Sequence, residues 1–374
     1  MGWRMCDVLI WVRPPSCAAV CLDKLIALVK LRIRLTVRNT VKCMNAVSRP
    51  AFRFRLRGSP RSQMPATYPT TGPVHLRTNL KTYGLTTALK AGTVSSPLVS
   101  FDFCGPEKVF EGFKPMVRDG EYDAGELALV TFLQAKIYDK PLTLLPACIV
   151  GKFQHNTLYY VYRGKELTPK DIEGRQAVGR AYTQTTAVWA RGILQHEFGV
   201  DLSKVTWLTS DDPHLGEYSD PANVVRVSNR EKSLEQRMID GEADFGIFGF
   251  PAPKHPDIRR LIPDHETAAA AWYAKYGCAQ INHMFVVRPE LAQARPDVVA
   301  EIFRLLAASK AAAGLASKAI DALPFGVENV SSSLAMLSQY SCEQGILPRT
   351  LGADELFNAS MRALKVRTRL EESS

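Results

Sequence analysis

The stretch RAYTQTTAVWARGILQHEF, residues 180–198, sets the hydroxyls of Tyr182, Thr183, Thr185 and Thr186 at the start of an amphipathic helix pattern. One hydroxyl is enough to cap a helix. Free N–H groups at a helix start carry partial positive charge, so the surplus hydroxyls, with Arg180, would make a receptor for a carboxylate or phosphate. The competing reading is plain capping by one threonine, with the others decorating a loop. Two histidines could move protons: His155 in GKFQHNTLYY and His283 in QINHMFVV, each beside an expected strand end. A lone histidine there is more often structural. One on each side of a passage between two lobes, however, would face the cleft, where a neutral imidazole can serve as acid or base. His75, His196, His214, His255 and His265 read as surface or structural. In FKPMVRDGEYDAGELALV, Arg118, Asp123 and Glu126 form a charged cluster of the kind usually found on a solvated face. Glu126 differs in lying within an apolar strand-to-helix run, where a carboxylate needs a partner. Trp189 and Arg191 read as packing and pairing within the second lobe.

These residues need a scaffold, and the hydrophobic pattern supplies one. VHLRTNL and PLVSFDF read as strands around a short helix ended by Gly92, a βαβ beginning. Residues 120–151 continue with a short strand, a helix closing near Asp139 and an apolar strand, followed by the strand TLYYVYR. After a polar connection with a helix start at Thr168 and Pro169, the alternation restarts. It runs through a strand near Ala177, a helix from about Thr185, VTWLTS, EKSLEQRMIDGE and ADFGIFG. INHMFVVR is a further strand, and apolar-faced helices follow. Such alternation predicts an α/β protein with mostly parallel, helix-covered sheets. We expect two lobes, 64–165 plus 283–374 and 166–282, with an interlobe cleft suited to a small molecule.

Composition narrows the function. The chain has 374 residues, 46% of them hydrophobic, enough for two domains with a large core. Its net charge of +10 is concentrated at one end: residues 1–63 hold 13 of the 47 basic residues and two of the 37 acidic ones. The remainder is near neutral, which excludes a globally phosphate-seeking, nucleic-acid-binding body and makes any anion site local. No stretch of this first segment is long and apolar enough to span a membrane. It is a targeting segment, a basic interaction tail, or upstream sequence ahead of a working start at Met64; the abrupt change of composition favours the last. Scattered cysteines without a C-x-x-C fit reduced thiols in a cytoplasmic protein. Dinucleotide, Walker, nucleophile-elbow and H-E-x-x-H motifs are absent.

The segments FKPMVRDGEYDAGELAL, GKFQHNTLYY, EGRQAVGRAYTQTTAVWARGILQHEFGVDLSKVTW and INHMFVV, in this order, resemble the 4,5-dihydroxyphthalate decarboxylase family. The resemblance runs over roughly residues 74–365 and is most specific at 182–194. Family members carry Pro-Glu ahead of the tyrosine; this chain has Arg180 and Ala181 there, and Arg180 is suited to add a carboxylate contact. The resemblance implies a type II periplasmic-binding-protein fold and loss of CO2 from a dihydroxylated aromatic dicarboxylate, giving a protocatechuate-type product in phthalate catabolism. On that reading Arg118, Arg180, Tyr182, Thr183, Thr185 and Thr186 hold the substrate. His155 and His283 divide proton transfer, and Glu126 orients one of them. No cofactor is expected, and no ligand spacing argues for a metal on His155, Glu126 and His283. Homo-oligomerisation is left open. The alternative is a solute receptor of a transporter using the same cleft without chemistry.

Overall fold

A computed structural model describes residues 66–228, 231–249, 251–315 and 320–365, all within the compact unit Gln63–Ser374. The expectations for residues 1–63 fall outside the described residues. Two sheets organise the rest. The first has the order β2-β1-β3-β11-β4, from β1 Val74–Asn79, β2 Val99–Asp102, β3 Ala124–Ala128, β4 Thr143–Gly151 and β11 Ile281–Val287. The second has the order β10-β5-β9-β6-β7-β8, from β5 Leu158–Val161, β6 Gln176–Gly179, β7 Thr206–Thr209, β8 Val224–Arg226, β9 Phe245–Ile247 and β10 Ile258–Arg260. Described helices of seven residues or more are α1 Phe113–Asp119, α2 Leu129–Ile137, α3 Thr185–Phe198, α4 His265–Tyr276, α5 Pro296–Ala312 and α6 Val327–Glu343.

The α/β two-lobe class expected from the alternation is the one observed, with two differences. The strand 158–161, placed with the first lobe by its position in sequence, pairs with β9 and β10 of the second sheet. The chain therefore passes between sheets at residues 152–157, ahead of 165, and returns at 277–280. The sheets are also mixed. β11 runs antiparallel to both β3 and β4, and β5 antiparallel to both its neighbours, because each enters its sheet from the opposite lobe.

β3 is buried along its whole length, as a strand flanked by partners and covered by helices must be. Gly125 within it has φ +155°, and a side chain there would collide with the Asn79 backbone of β1. That close approach sets β3 against β1 one residue before Glu126. Cys104, Cys148, Cys278 and Cys342 are free thiols. Among the described residues no helix is long and apolar enough to cross a membrane.

Candidate functional site

Glu126 lies on β3 and His283 on the adjacent β11, so the two side chains meet across one antiparallel pair. The Glu126 carboxylate is fully buried, and its Oε2 lies 2.6 Å from His283 Nδ1. It also accepts from the Lys81 main-chain N–H at 2.9 Å and from the Tyr83 hydroxyl at 3.0 Å. A buried carboxylate with three donors is satisfied. Burial, with the nearby carboxylate, pushes the Tyr83 phenol well above its ordinary range, so it stays a donor. His283 Nε2 has no partner among the described residues, and the imidazole is a fifth exposed.

The second sheet's contribution arrives by the loop after β7. His214 there sets its Nδ1 2.7 Å from the Thr131 hydroxyl of α2. Its ring stands edge-on to Phe113 at 5.7 Å, and Phe113 is edge-on to His283 at 5.2 Å. One phenylalanine thus separates two imidazoles from different sheets. Burial first, then the positive charges of Arg180, Lys114 and Arg118 and the neighbouring His283, push the His214 imidazole down to about 3. It is neutral at physiological pH and acts as a hydrogen-bonding group. Arg180, at the end of β6, lies over the Phe110 ring at 4.2 Å and pairs with Asp211 at 3.3 Å. Carboxylate, two imidazoles and one guanidinium therefore converge from both lobes.

The structure gives the remaining expected site residues other partners. Arg118 donates to the carbonyls of His214 at 2.6 Å and Pro213 at 2.9 Å, fastening the loop after β7 to α1. The hydroxyl of Tyr182 donates to the Gln344 carbonyl, and its ring lies under the Arg191 guanidinium at 3.8 Å. Thr185 Oγ1 accepts from the Val130 N–H in the first turn of α2, and Thr186 Oγ1 accepts from the Asn282 side chain. The side chain of the α3 N-cap, Gln184, makes no capping bond. Three of the four hydroxyls thus tie α3 to other segments. Thr183 alone has none among the described residues and stays available beside the first-turn N–H groups of α3.

His155 does not join His283. It sits in the turn Gln154–Thr157, 2% exposed, with its ring 6.4 Å from Trp272 of α4. Its electrostatic neighbours are Glu197 and His265, and burial holds it down at about 4. Among the described residues no group of three or more His, Cys, Asp or Glu is placed to hold a metal ion. His214, expected to be a surface or structural histidine, is instead buried beside His283 and Arg180 because the loop after β7 packs it on Phe113 and Thr131, and Tyr83 and Lys114 were not singled out from the sequence. A polar loop directly after a strand of a two-lobed α/β protein was the available signal for His214, since such loops rim the cleft.

No family model matches the chain. It is 27% identical over 226 residues to 4,5-dihydroxyphthalate decarboxylase of Comamonas testosteroni, covering 56% of this chain and 66% of that protein. It is 28% identical over 181 residues to the enzyme of the same name from Pseudomonas putida, covering 45% of this chain and 68% of that one. The chain therefore spans about two thirds of the length of these relatives. Among solved structures it is similar to the Candida albicans CA3427 gene product, described as exhibiting the generic periplasmic binding protein structural fold. That similarity has a TM-score of 0.45 and 12% identity, over 79% of this chain and 99% of that one. The chain is thus a sequence relative of the 4,5-dihydroxyphthalate decarboxylases.

Proposed function

We propose that the protein is a non-oxidative carboxy-lyase acting on a dihydroxylated aromatic dicarboxylate of the 4,5-dihydroxyphthalate type. The observation that carries this reading is the buried Glu126 carboxylate locked onto His283 Nδ1 at 2.6 Å. A carboxylate on Nδ1 fixes the tautomer and leaves Nε2 as the face that handles a proton. In the reaction a ring carbon para to a hydroxyl becomes carbanion-like as that hydroxyl gives up its proton. The Nε2–H of His283 protonates the carbon bearing the carboxylate, the ring–carboxylate bond breaks, its electron pair restores the aromatic ring as CO2 leaves, and the ring oxygen takes back the proton it gave up. One proton is taken up for each CO2 released, and no electron acceptor is needed.

The anion clamp of this proposal rests on Arg180, the free Thr183 hydroxyl and the first turn of α3. Arg118, with Nε and Nη2 committed to the loop after β7, is assigned to holding the lobes together. His214, neutral because it is buried, is assigned to orienting a ring hydroxyl.

The test is incubation of the full chain with the dihydroxyphthalate isomers, following CO2 and aromatic product. The expected result is equimolar CO2 and a dihydroxybenzoate, fastest from the 4,5 isomer. Saturable binding without turnover would instead favour the solute receptor.

A further inference from the structure

We propose that the pocket between the turn Gln154–Thr157 and helix α4 is a second ligand site, for a small uncharged aromatic molecule bearing hydroxyl or amino hydrogen-bond donors. The pocket holds about 290 Å³ and is lined by Phe153, His155, Asn156, His265, Glu266 and Ala269, among others. It shares no lining residue with the Glu126, His283, His214 and Arg180 group. A cavity on the order of 150 Å³ already takes a benzene, so one substituted ring fits.

The lining says which ring. His155 is 2% exposed, and neither of its ring nitrogens has a hydrogen-bond partner among the described residues. Asn156 Oδ1 is likewise buried without one. His155 lines the pocket and its Nε2, unlike Nδ1, is not sealed from solvent, so an occupant that donates to Nε2 supplies the partner it lacks. Burial keeps the His155 imidazole neutral at physiological pH, with one nitrogen free to accept. Phe153 offers an aromatic wall held edge-on by Trp272 and Tyr273, at 6.1 and 6.0 Å. No lysine or arginine lines the pocket, and Glu266 does, so a carboxylate or phosphate is disfavoured. This polarity is the reverse of that at Arg180, and the proposal does not depend on the decarboxylase reading.

The test is calorimetric titration of the full chain with catechol, phenol and benzoate. Catechol is expected to bind saturably and more tightly than phenol, with benzoate not competing. His155→Phe and Ala270→Trp should each weaken catechol binding about tenfold or more, the effect of losing one buried hydrogen bond or the space itself. Ala270 also lines the pocket and is exposed, so the second variant keeps the test decisive if the first folds poorly. His283→Asn should leave the binding unchanged. Binding that survives both pocket variants, binding abolished by His283→Asn, or no saturable binding at all would each overturn the site.

Discussion

Glu126 is sealed from solvent, and its charge is answered by the Lys81 N–H, the Tyr83 hydroxyl and His283. That arrangement makes its substitutions separable. Glu126→Gln keeps an acceptor for Lys81 and removes the negative charge behind the imidazole. If His283 carries the proton, turnover should fall about 100-fold or more, the usual worth of a general acid or base, with KM changed far less. Glu126→Ala should in addition destabilise the fold, since each orphaned buried donor costs about 1–3 kcal/mol. Steady-state rates, with circular dichroism to confirm folding, check both. Turnover of Glu126→Gln within twofold of the parent would remove the pair from the mechanism. Glu126 was legible in the sequence because a carboxylate inside an apolar run needs a partner wherever the chain goes. His155 and His283 looked equivalent because adjacency to a strand end does not say toward which cavity a side chain turns. His214 was passed over because only tertiary packing on Phe113 and Thr131 brings it beside His283.

Helix α3 carries the stretch on which the family resemblance is most specific, yet most of its residues are spent on packing. Trp189 donates its indole N–H to the Ile281 carbonyl and stands edge-on to Trp272 and Tyr340. Arg191, 1% exposed, is held by the Gln344 side chain, the Tyr182 carbonyl and the faces of Tyr182 and Trp207. A side chain on Gly192 would fall inside the Tyr340 ring, so α3 and α6 touch there through a bare backbone. Gly192→Ala should therefore cost about 1–3 kcal/mol by overpacking, even though alanine is the better helix former. Urea denaturation should show the lower midpoint, and Gly192→Ala combined with Tyr340→Ala should recover part of the loss relative to Tyr340→Ala alone. Additive losses would mean that the contact is not what excludes a side chain. Most elements were readable because their apolar periodicity is local. Helix α4 was missed: in HETAAAAWYAKY only Ala269 and Trp272 are buried, too sparse a stripe to stand out. The sheet membership of β5 could not be read, because pairing with β9 and β10 is settled by partners far along the chain.

At the scale of the whole molecule the two sheets are held together through side chains that also carry unusual protonation. His214 reaches α2 across the lobes, with its main-chain carbonyl gripped by Arg118, and His155 sits in the passage from the first sheet to the second. Burial is the largest cause of the downward shift in both, from 6.5 to about 3 and about 4. The sign of the consequence follows from proton counting. In the unfolded chain each imidazole takes a proton as pH falls through about 6.5, whereas in the folded chain it does not until the lower value. The stability these neutral imidazoles permit is thus complete above pH 6.5 and is lost toward pH 4, at about 1.4 kcal/mol per pH unit for each. Carboxylates titrate in the lower part of the same window, so the clean readout is a difference between parent and variant. His155→Phe leaves no group to protonate there. Its unfolding free energy, measured in urea between pH 7 and pH 4.5, should fall less steeply than the parent's by about one proton's worth of slope. Parallel profiles would show that His155 protonates as readily folded as unfolded, and that the passage between the sheets is open to water.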